Sequence, residues 1–151
     1  TPLIINDDLD LAIKVGADGV HLGIEDVTVA EARNRLGAGK IIGASCYNQL
    51  RYAIEAENQG ANYVAFGAFF SSTTKPDAVI TPIDLLCRAK QHIQVPIVAI
   101  GGINSGNIEN LIYEGVDAIA VSGCLFNSNN TKIEAQKIFY KFKKIKYSVN
   151  H

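Results

Sequence analysis

The stretch best suited to chemistry is a cluster of hydroxyl and amine side chains that follows an apolar run. The run YVAFG, residues 63–67, indicates a buried strand that stops at Gly67, and before Pro76 the chain then carries Ser71, Ser72, Thr73, Thr74 and Lys75. Hydroxyls and backbone N–H groups donate hydrogen bonds to phosphate oxygens, and a lysine adds positive charge. The stretch therefore predicts a loop that binds a phosphorylated ligand, although a polar surface loop would have the same composition.

Five other apolar runs share this pattern of ending in polar or glycine residues. The six predicted strands are residues 3–7, 19–23, 41–45, 63–66, 96–100 and 118–121. The residues that end or follow them include Asn6, Asp7, Ser45, Gly101, Gly102, Ser122 and Gly123. Helix-forming segments separate the runs, and the runs are too apolar to have a solvated face, so we predict parallel βα units.

An internal repeat supports the same architecture. The segments VGADGVHLG, QGANYVAFG and EGVDAIAVS share a glycine, then alanine or valine, then aspartate or asparagine before an apolar strand. Each glycine is expected to end a helix in a left-handed conformation, and the Asp or Asn to turn the chain into the next strand. Repeated units favour a (β/α) barrel over an open doubly wound sheet, and the ends of its strands would then meet at one mouth.

Two carboxylates at that mouth suit a hard cation. Asp7 ends the first run and Asp26 follows the second, so together they could hold Mg²⁺, which takes its other ligands from water and from substrate phosphates. The alternative is that Asp7 or Asp8 only caps the helix that follows. His21 alternates with apolar neighbours, so we expect it to point toward the barrel interior and to serve a structural role.

The glycines at the last two strand ends suggest a phosphate site. Gly101-Gly102 and Ser122-Gly123 would let backbone N–H groups approach a phosphate closely, as barrels often do near their last strands. A tight turn is the alternative interpretation of the double glycine.

Composition limits the classes of partner and the number of domains. With 151 residues, 48% hydrophobic and 19% charged, the chain is expected to form one domain: core βα units over 1–126, a C-terminal helix over 127–146 and a tail over 147–151. A net charge of −1 argues against a nucleic-acid surface, and no apolar run approaches the roughly 20 residues of a membrane helix. The three cysteines are predicted to be reduced, in or near the core, which is typical of a cytoplasmic protein.

The ordered series of motifs resembles one enzyme family. PLIIND, GADGVHLGIED, IGAS, YVAFGAFFSSTTKPDA, PIVAIGGI and GVDAIAV are similar to thiamine-phosphate synthases, and the resemblance extends over about residues 3 to 126. The resemblance implies a (β/α)₈ TIM barrel of which six βα units, strands 3–8, are present. It also implies two further βα units before Thr1, including a strand that binds pyrophosphate. Without those units, the 151 residues alone are expected to be poorly active.

The same resemblance implies a reaction and a set of site residues. A pyrimidine carrying a diphosphomethyl group would condense with a thiazole phosphate, with Mg²⁺, to give thiamine phosphate and pyrophosphate. Asn6 and Ser45 would contact the pyrimidine, Asp7 and Asp26 would hold Mg²⁺, and Lys75 would meet the leaving pyrophosphate. The thiazole phosphate would be held by Ser72, Thr73, Thr74, Gly102, Ser122 and Gly123.

Two other functions fit parts of this pattern. A thiazole tautomerase has the same scaffold but relies on a histidine just after the IGAS-type strand, where this chain has Cys46-Tyr47. A phosphate-binding module without turnover is the other alternative. Small-molecule substrates are expected in each case, and homo-oligomerisation is left open.

Overall fold

A computed structural model of the protein describes residues 1–71 and 77–149. Within these residues six strands form one parallel sheet in the order β1-β2-β3-β4-β5-β6. Their bounds are Ile4–Asn6 (β1), Gly19–Leu22 (β2), Ile41–Tyr47 (β3), Tyr63–Phe66 (β4), Ile97–Ile100 (β5) and Ala118–Ala120 (β6). All six strands predicted from the sequence are therefore present, each close to its expected bounds.

Helices connect these strands and extend the chain beyond the last one. They are Leu9–Lys14 (α1), Val29–Leu36 (α2), Leu50–Asn58 (α3), Asp84–Lys90 (α4), Glu109–Tyr113 (α5), Gly123–Phe126 (α6) and Thr131–Val149 (α7). Parallel strands in sequential order, joined by right-handed crossovers, place their connecting helices on one face of the sheet. No helix within the described residues is both long and apolar enough to cross a membrane.

The prediction of an eight-stranded barrel is wrong for this chain. In the described residues β1 pairs with β2 and β6 pairs with β5, and the linear order leaves β1 and β6 as the two edges of the sheet. A closed barrel has no such edges, because its first and last strands pair with each other. The structure is a six-stranded parallel half-barrel.

The core lies between the sheet and the helices. Val20, Ile42, Val64 and Ile97 lie on four neighbouring strands, β2 to β5, with their side chains on the same face of the sheet. None of the four has any exposed surface. Side chains alternate between the two faces of a strand, so these residues define the helix-covered face. We call the opposite face, which carries Asn6, His21, Ser45 and Tyr63, the open face.

The predicted repeat does more than turn the chain. Gly16, Gly60 and Gly115 have φ values of +67°, +95° and +89°, so the left-handed helix ends are confirmed. The Asp or Asn of each repeat accepts a hydrogen bond from the backbone N–H at the start of a neighbouring strand: Asp18 from Leu3 at 2.7 Å, Asn62 from Ile42 at 2.8 Å and Asp117 from Ile97 at 2.9 Å. The repeat therefore ties β1 to β2, β3 to β4 and β5 to β6.

The C-terminal helix differs from its predicted length. α7 continues past residue 146 to Val149, where a tail was expected. Ile145 is 8% exposed and packs into the core, and the ammonium group of Lys146 donates to the carbonyl of Val116 at 2.9 Å. These contacts hold the last turns of the helix against β6, and no glycine or proline occurs there to end the helix earlier.

Candidate active site

A row of aligned residues crosses the open face from β1 to β4. In the parallel register Asn6 pairs with His21, His21 with Gly43, and Gly43 with Tyr63. Residues paired in this way have side chains on the same face of the sheet. Ser45 lies two residues beyond Gly43 on β3, so it is on this face as well. Asn6 and Ser45, the two residues predicted to contact a pyrimidine, are therefore both next to His21.

His21 links Ser45 to Tyr63. Its Nε2 atom is 2.9 Å from the Ser45 Oγ, and its Nδ1 atom is 2.9 Å from the Tyr63 hydroxyl. The two rings are also stacked, with centroids 5.5 Å apart and planes 20° apart. Gly43 makes this possible, because a Cβ there would lie 2.0 Å from Tyr63 Cζ. A side chain at residue 43 would thus displace the tyrosine ring from the histidine.

The histidine at the centre of this group favours the neutral form. Burial lowers the pKa of His21 below its ordinary value, and the negative charge of Asp26 opposes that shift without cancelling it. Burial also raises the pKa of the Tyr63 hydroxyl. A neutral imidazole and a protonated phenol can be linked by hydrogen bonds in which each group donates or accepts without carrying a charge. This part of the open face is therefore polar and uncharged.

The carboxylates at the ends of β1 and β2 have separate roles. Asp8 is the N-cap of α1, because its side chain accepts from the Leu11 N–H at 2.8 Å. The capping alternative therefore belongs to Asp8. Asp7 has a left-handed φ of +64°, uncommon outside glycine, and its N–H donates to the His21 carbonyl at 2.8 Å. Asp26 Oδ2 accepts from the Gly23 N–H at 2.6 Å just after β2.

The donor set at these two strand ends suits magnesium. Asp7 and Asp26 follow adjacent strands, and carboxylate oxygens are the ligands that Mg²⁺ prefers. No group of three or more His, Cys, Asp or Glu residues that could hold a metal occurs in residues 1–71 and 77–149. A site with two protein carboxylates that completes its shell with water and phosphate would not form such a group. Magnesium binding stays a prediction.

The glycines after β5 pack closely against the chain that follows β4. Gly101 and Gly102 have φ values of +99° and +62°. A Cβ on Gly102 would lie 2.5 Å from the Ser71 carbonyl oxygen, and one on Gly101 would lie 2.4 Å from the Ala68 Cβ. This close approach is a structural reason for both glycines. It also places the start of the hydroxyl-rich loop beside the end of β5.

The remaining predicted phosphate ligands are at the ends of later elements or outside the described residues. Ser122 is the N-cap residue of the one-turn helix α6, and Gly123 is the first residue of that helix, directly after β6. Sequence reasoning did not predict this helix. Ser72, Thr73, Thr74 and Lys75 lie outside the described residues, so their predicted roles stay predictions.

The cysteines are free, as predicted, but not all are in the core. Cys46 is buried, Cys124 is half-buried and Cys87 is exposed. Burial raises the pKa of the Cys46 thiol to about 12, so the thiol stays protonated near neutral pH. Cys46 occupies the position at which a tautomerase would need its histidine, and a buried, protonated thiol is a poor substitute for that base.

Sequence reasoning missed the connection of His21 and Tyr63 to the site. His21 was expected to face the interior, and it does lie opposite Val20 and Leu22, which are 0% and 2% exposed. Its alternation with apolar neighbours was the available signal. Tyr63 is 42 residues away in sequence, and only the strand register brings it to the histidine.

A family model and curated relatives identify one family. The family model described as "Thiamine monophosphate synthase" matches residues 1–125. The chain is 58% identical over 143 residues to a thiamine-phosphate synthase of Nitrosospira multiformis, a match that covers 95% of this chain and 61% of the relative. It is 57% identical to that of Nitrosomonas eutropha over 89% of this chain and 64% of the relative. The chain thus spans less than two thirds of the length of these curated relatives.

A solved structure gives the same result for the fold. Thiamine phosphate pyrophosphorylase from Pyrococcus furiosus superposes with a TM-score of 0.84 at 33% sequence identity. The superposition covers 94% of this chain and 67% of that chain. The half-barrel therefore matches two thirds of a longer related protein.

Proposed function

We propose that the open face of this chain, which belongs to the thiamine monophosphate synthase family, binds and positions the two substrates of that synthesis. One substrate is 4-amino-2-methyl-5-(diphosphomethyl)pyrimidine, and the other is 4-methyl-5-(2-phosphoethyl)thiazole. The products are thiamine phosphate and pyrophosphate. The proposal is supported by the arrangement around His21: Asn6 pairs with it in the register of the sheet, and Ser45 is hydrogen-bonded to it.

The reaction exchanges one bond for another at the pyrimidine methylene. The bond from methylene carbon to pyrophosphate oxygen breaks, and its electron pair leaves with pyrophosphate. The thiazole nitrogen then donates its lone pair to the methylene carbon, forming a C–N bond. No protein nucleophile is required, so the contribution of this chain is positioning and electrostatic stabilisation.

The residues of the chain divide these tasks. Asn6 and Ser45 orient the pyrimidine ring with neutral hydrogen bonds. Lys75 offers a positive charge to the departing pyrophosphate. Asp7 and Asp26 would hold Mg²⁺, which when bound neutralises negative charge on that leaving group. The other predicted residues hold the thiazole phosphate: Ser72, Thr73, Thr74, Gly102, Ser122 and Gly123.

Release of pyrophosphate tests the proposal. The wild-type chain, Ser45→Ala and Ser148→Ala are incubated with Mg²⁺ and with one or both substrates. Ser148 is the matched control, since it lies on α7 and donates to the Ile145 carbonyl at 2.8 Å. We expect release that is slow, as predicted for these 151 residues alone, but that requires both substrates. Ser45→Ala should reduce it and Ser148→Ala should leave it unchanged. Binding of both substrates with no release would instead favour a phosphate-binding module, and equal rates for the two serine variants would contradict the assigned role of Ser45.

The metal assignment has its own matched pair. We expect Asp7→Asn to abolish the response of pyrophosphate release to Mg²⁺, because an amide carries no charge. Asp8→Asn should retain it, since asparagine caps a helix as well as aspartate does and Asp8 serves α1. The Mg²⁺ concentration giving half-maximal release is the quantity to compare. An unchanged value in Asp7→Asn would remove Asp7 from the ligand set.

The leaving-group assignment is tested in the same assay. We expect Lys75→Ala to reduce turnover far more than the affinity for thiazole phosphate. Equal losses of both would argue against a role at the leaving group.

A further inference from the structure

The Tyr63, His21 and Ser45 side chains form a hydrogen-bonded chain that crosses three strands of the open face. Both hydrogen bonds are 2.9 Å long, and each uses a different nitrogen of the imidazole. A neutral imidazole has one N–H donor and one acceptor nitrogen. The direction of one hydrogen bond therefore fixes the direction of the other.

The two possible directions have different consequences for Tyr63. If the phenol donates to Nδ1, then Nε2–H donates to the Ser45 oxygen. If Nδ1–H donates to the phenol oxygen, the phenol proton needs another acceptor. Within the described part of the chain, His21 is the single hydrogen-bond partner recorded for the Tyr63 hydroxyl. A phenol is a stronger hydrogen-bond donor and a weaker acceptor than the aliphatic hydroxyl of serine, because its oxygen lone pair is delocalised into the ring, so the first direction is preferred.

This direction determines what Ser45 offers to a ligand. When Ser45 Oγ accepts from His21 Nε2–H, the hydroxyl proton is free to point away from the histidine. In the opposite direction that proton would be used on Nε2, and Ser45 could offer only lone pairs. We propose that Tyr63 and His21 are positioning residues that hold Ser45 as a hydrogen-bond donor, so that the site selects a ligand with an acceptor atom, such as a heteroaromatic ring nitrogen, at that point.

The identity of the ligand rests on the proposed function, but the direction of the hydrogen bonds does not.

The packing around the tyrosine shows what maintains the hydrogen-bonded chain of side chains. Gly43 leaves the space in which the Tyr63 ring stacks on His21, and Tyr63 pairs with Gly43 in the register of the sheet. An added methyl group at residue 43 would push the phenol away from Nδ1 without touching a ligand-facing atom.

The first experiment reads the imidazole tautomer without ligand. The chain is labelled with ¹⁵N-histidine, and His21 is identified among the three histidines by its absence in His21→Gln. We expect a protonated Nε2 and an unprotonated, pyridine-type Nδ1 in the wild type. This preference should be lost in Tyr63→Phe and in Gly43→Ala, and it should persist in Tyr52→Phe. Tyr52 is a suitable control because it lies on α3, where its hydroxyl accepts from Arg51.

The second experiment measures affinity for the pyrimidine pyrophosphate in the presence of Mg²⁺. We expect Tyr63→Phe to weaken binding roughly three- to tenfold, about the effect of one neutral hydrogen bond, and Tyr52→Phe to leave it unchanged. A protonated Nδ1 in the wild type would overturn the proposal whatever the affinities. If the wild type shows the expected tautomer but binds no pyrimidine, the result would support the hydrogen-bond direction and count against the proposed function. A failure of the hydrogen-bond direction can therefore be distinguished from a failure of the proposed function.

Discussion

The two faces of the sheet differ in what their residues contact, although they alternate along the same strands. On the helix-covered face Val20 and Ile42 are completely buried among apolar side chains. On the open face the adjacent His21 and the nearby Ser45 are half-buried and hydrogen-bonded to each other. One face stabilises the fold, and the other exposes the polar groups that we propose bind a ligand. Substitutions on the two faces should therefore have separable effects.

The largest contrast is expected between two residues of the same strand. Ile42→Ala should lower the free energy of unfolding by about 2–5 kcal/mol, because it leaves a cavity in a packed core. Ser45→Ala removes one partly exposed hydroxyl and should cost at most about 1 kcal/mol. Urea denaturation measures both. Equal losses would show that the open face also carries the stability of the fold.

A smaller loss is expected where the repeat ties two strands together. Asp117→Ala should lower the free energy of unfolding by about 1–2 kcal/mol, since the Ile97 N–H loses its acceptor. Asp117→Asn keeps an acceptor and should cost less, because Asn62 makes the equivalent contact with Ile42. Denaturation of the two variants side by side would sharpen the comparison. If the asparagine variant were as unstable as the alanine variant, the charge of Asp117 would matter more than its hydrogen bond.

A helix cap on the covered side provides a matched partner for Ser45. Thr28 accepts from the Glu31 N–H at 3.1 Å at the start of α2. Thr28→Ala should cost about 1 kcal/mol of stability, the usual effect of losing an N-cap. The pyrimidine affinity should not change, since Thr28 belongs to the helix layer. Weaker ligand binding in this variant would mean that stability and binding are not separable.

The smallest effect is expected from acid. Burial alone would raise the pKa of Asp117, but the hydrogen bond from Ile97 and the ammonium groups of Lys90 and Lys146 together hold it below its ordinary value of 3.8. The carboxylate therefore stabilises the fold above the unfolded pKa, and this contribution is lost as the pH falls through the folded pKa. The stability difference between wild type and Asp117→Asn should be constant above about pH 5 and should shrink below about pH 4. A difference that does not change down to the acid transition would contradict this assignment.

The sequence was sufficient to predict the six strands and the helix ends but not whether the sheet closes into a barrel. Apolar runs and the glycine repeat are local signals, and both were confirmed, at Gly16, Gly60 and Gly115 among others. The eight-stranded closure came from the resemblance to a family. It failed because pairing in the described residues ends at β1 and β6.

The site could be predicted only in part, for a related reason. Asn6 and Ser45 were placed at strand ends by their position in the sequence, and the structure does bring them next to one histidine. The link from Tyr63 to His21, and from Asp117 to Ile97, depends on strand register across 42 and 20 residues. No local pattern reports such pairings. The same limit explains why Asp8, and not Asp7, could be identified as the cap only from the geometry.

The most informative experiment is calorimetric titration of the pyrimidine pyrophosphate, with Mg²⁺, into wild type, Ser45→Ala and Thr28→Ala. It tests whether the open face binds the substrate while the covered face only stabilises the fold. We expect wild type and Thr28→Ala to bind with equal affinity and Ser45→Ala to bind about tenfold more weakly, the equivalent of one hydrogen bond. Equal affinity in all three chains, or no binding by the wild type, would contradict the account.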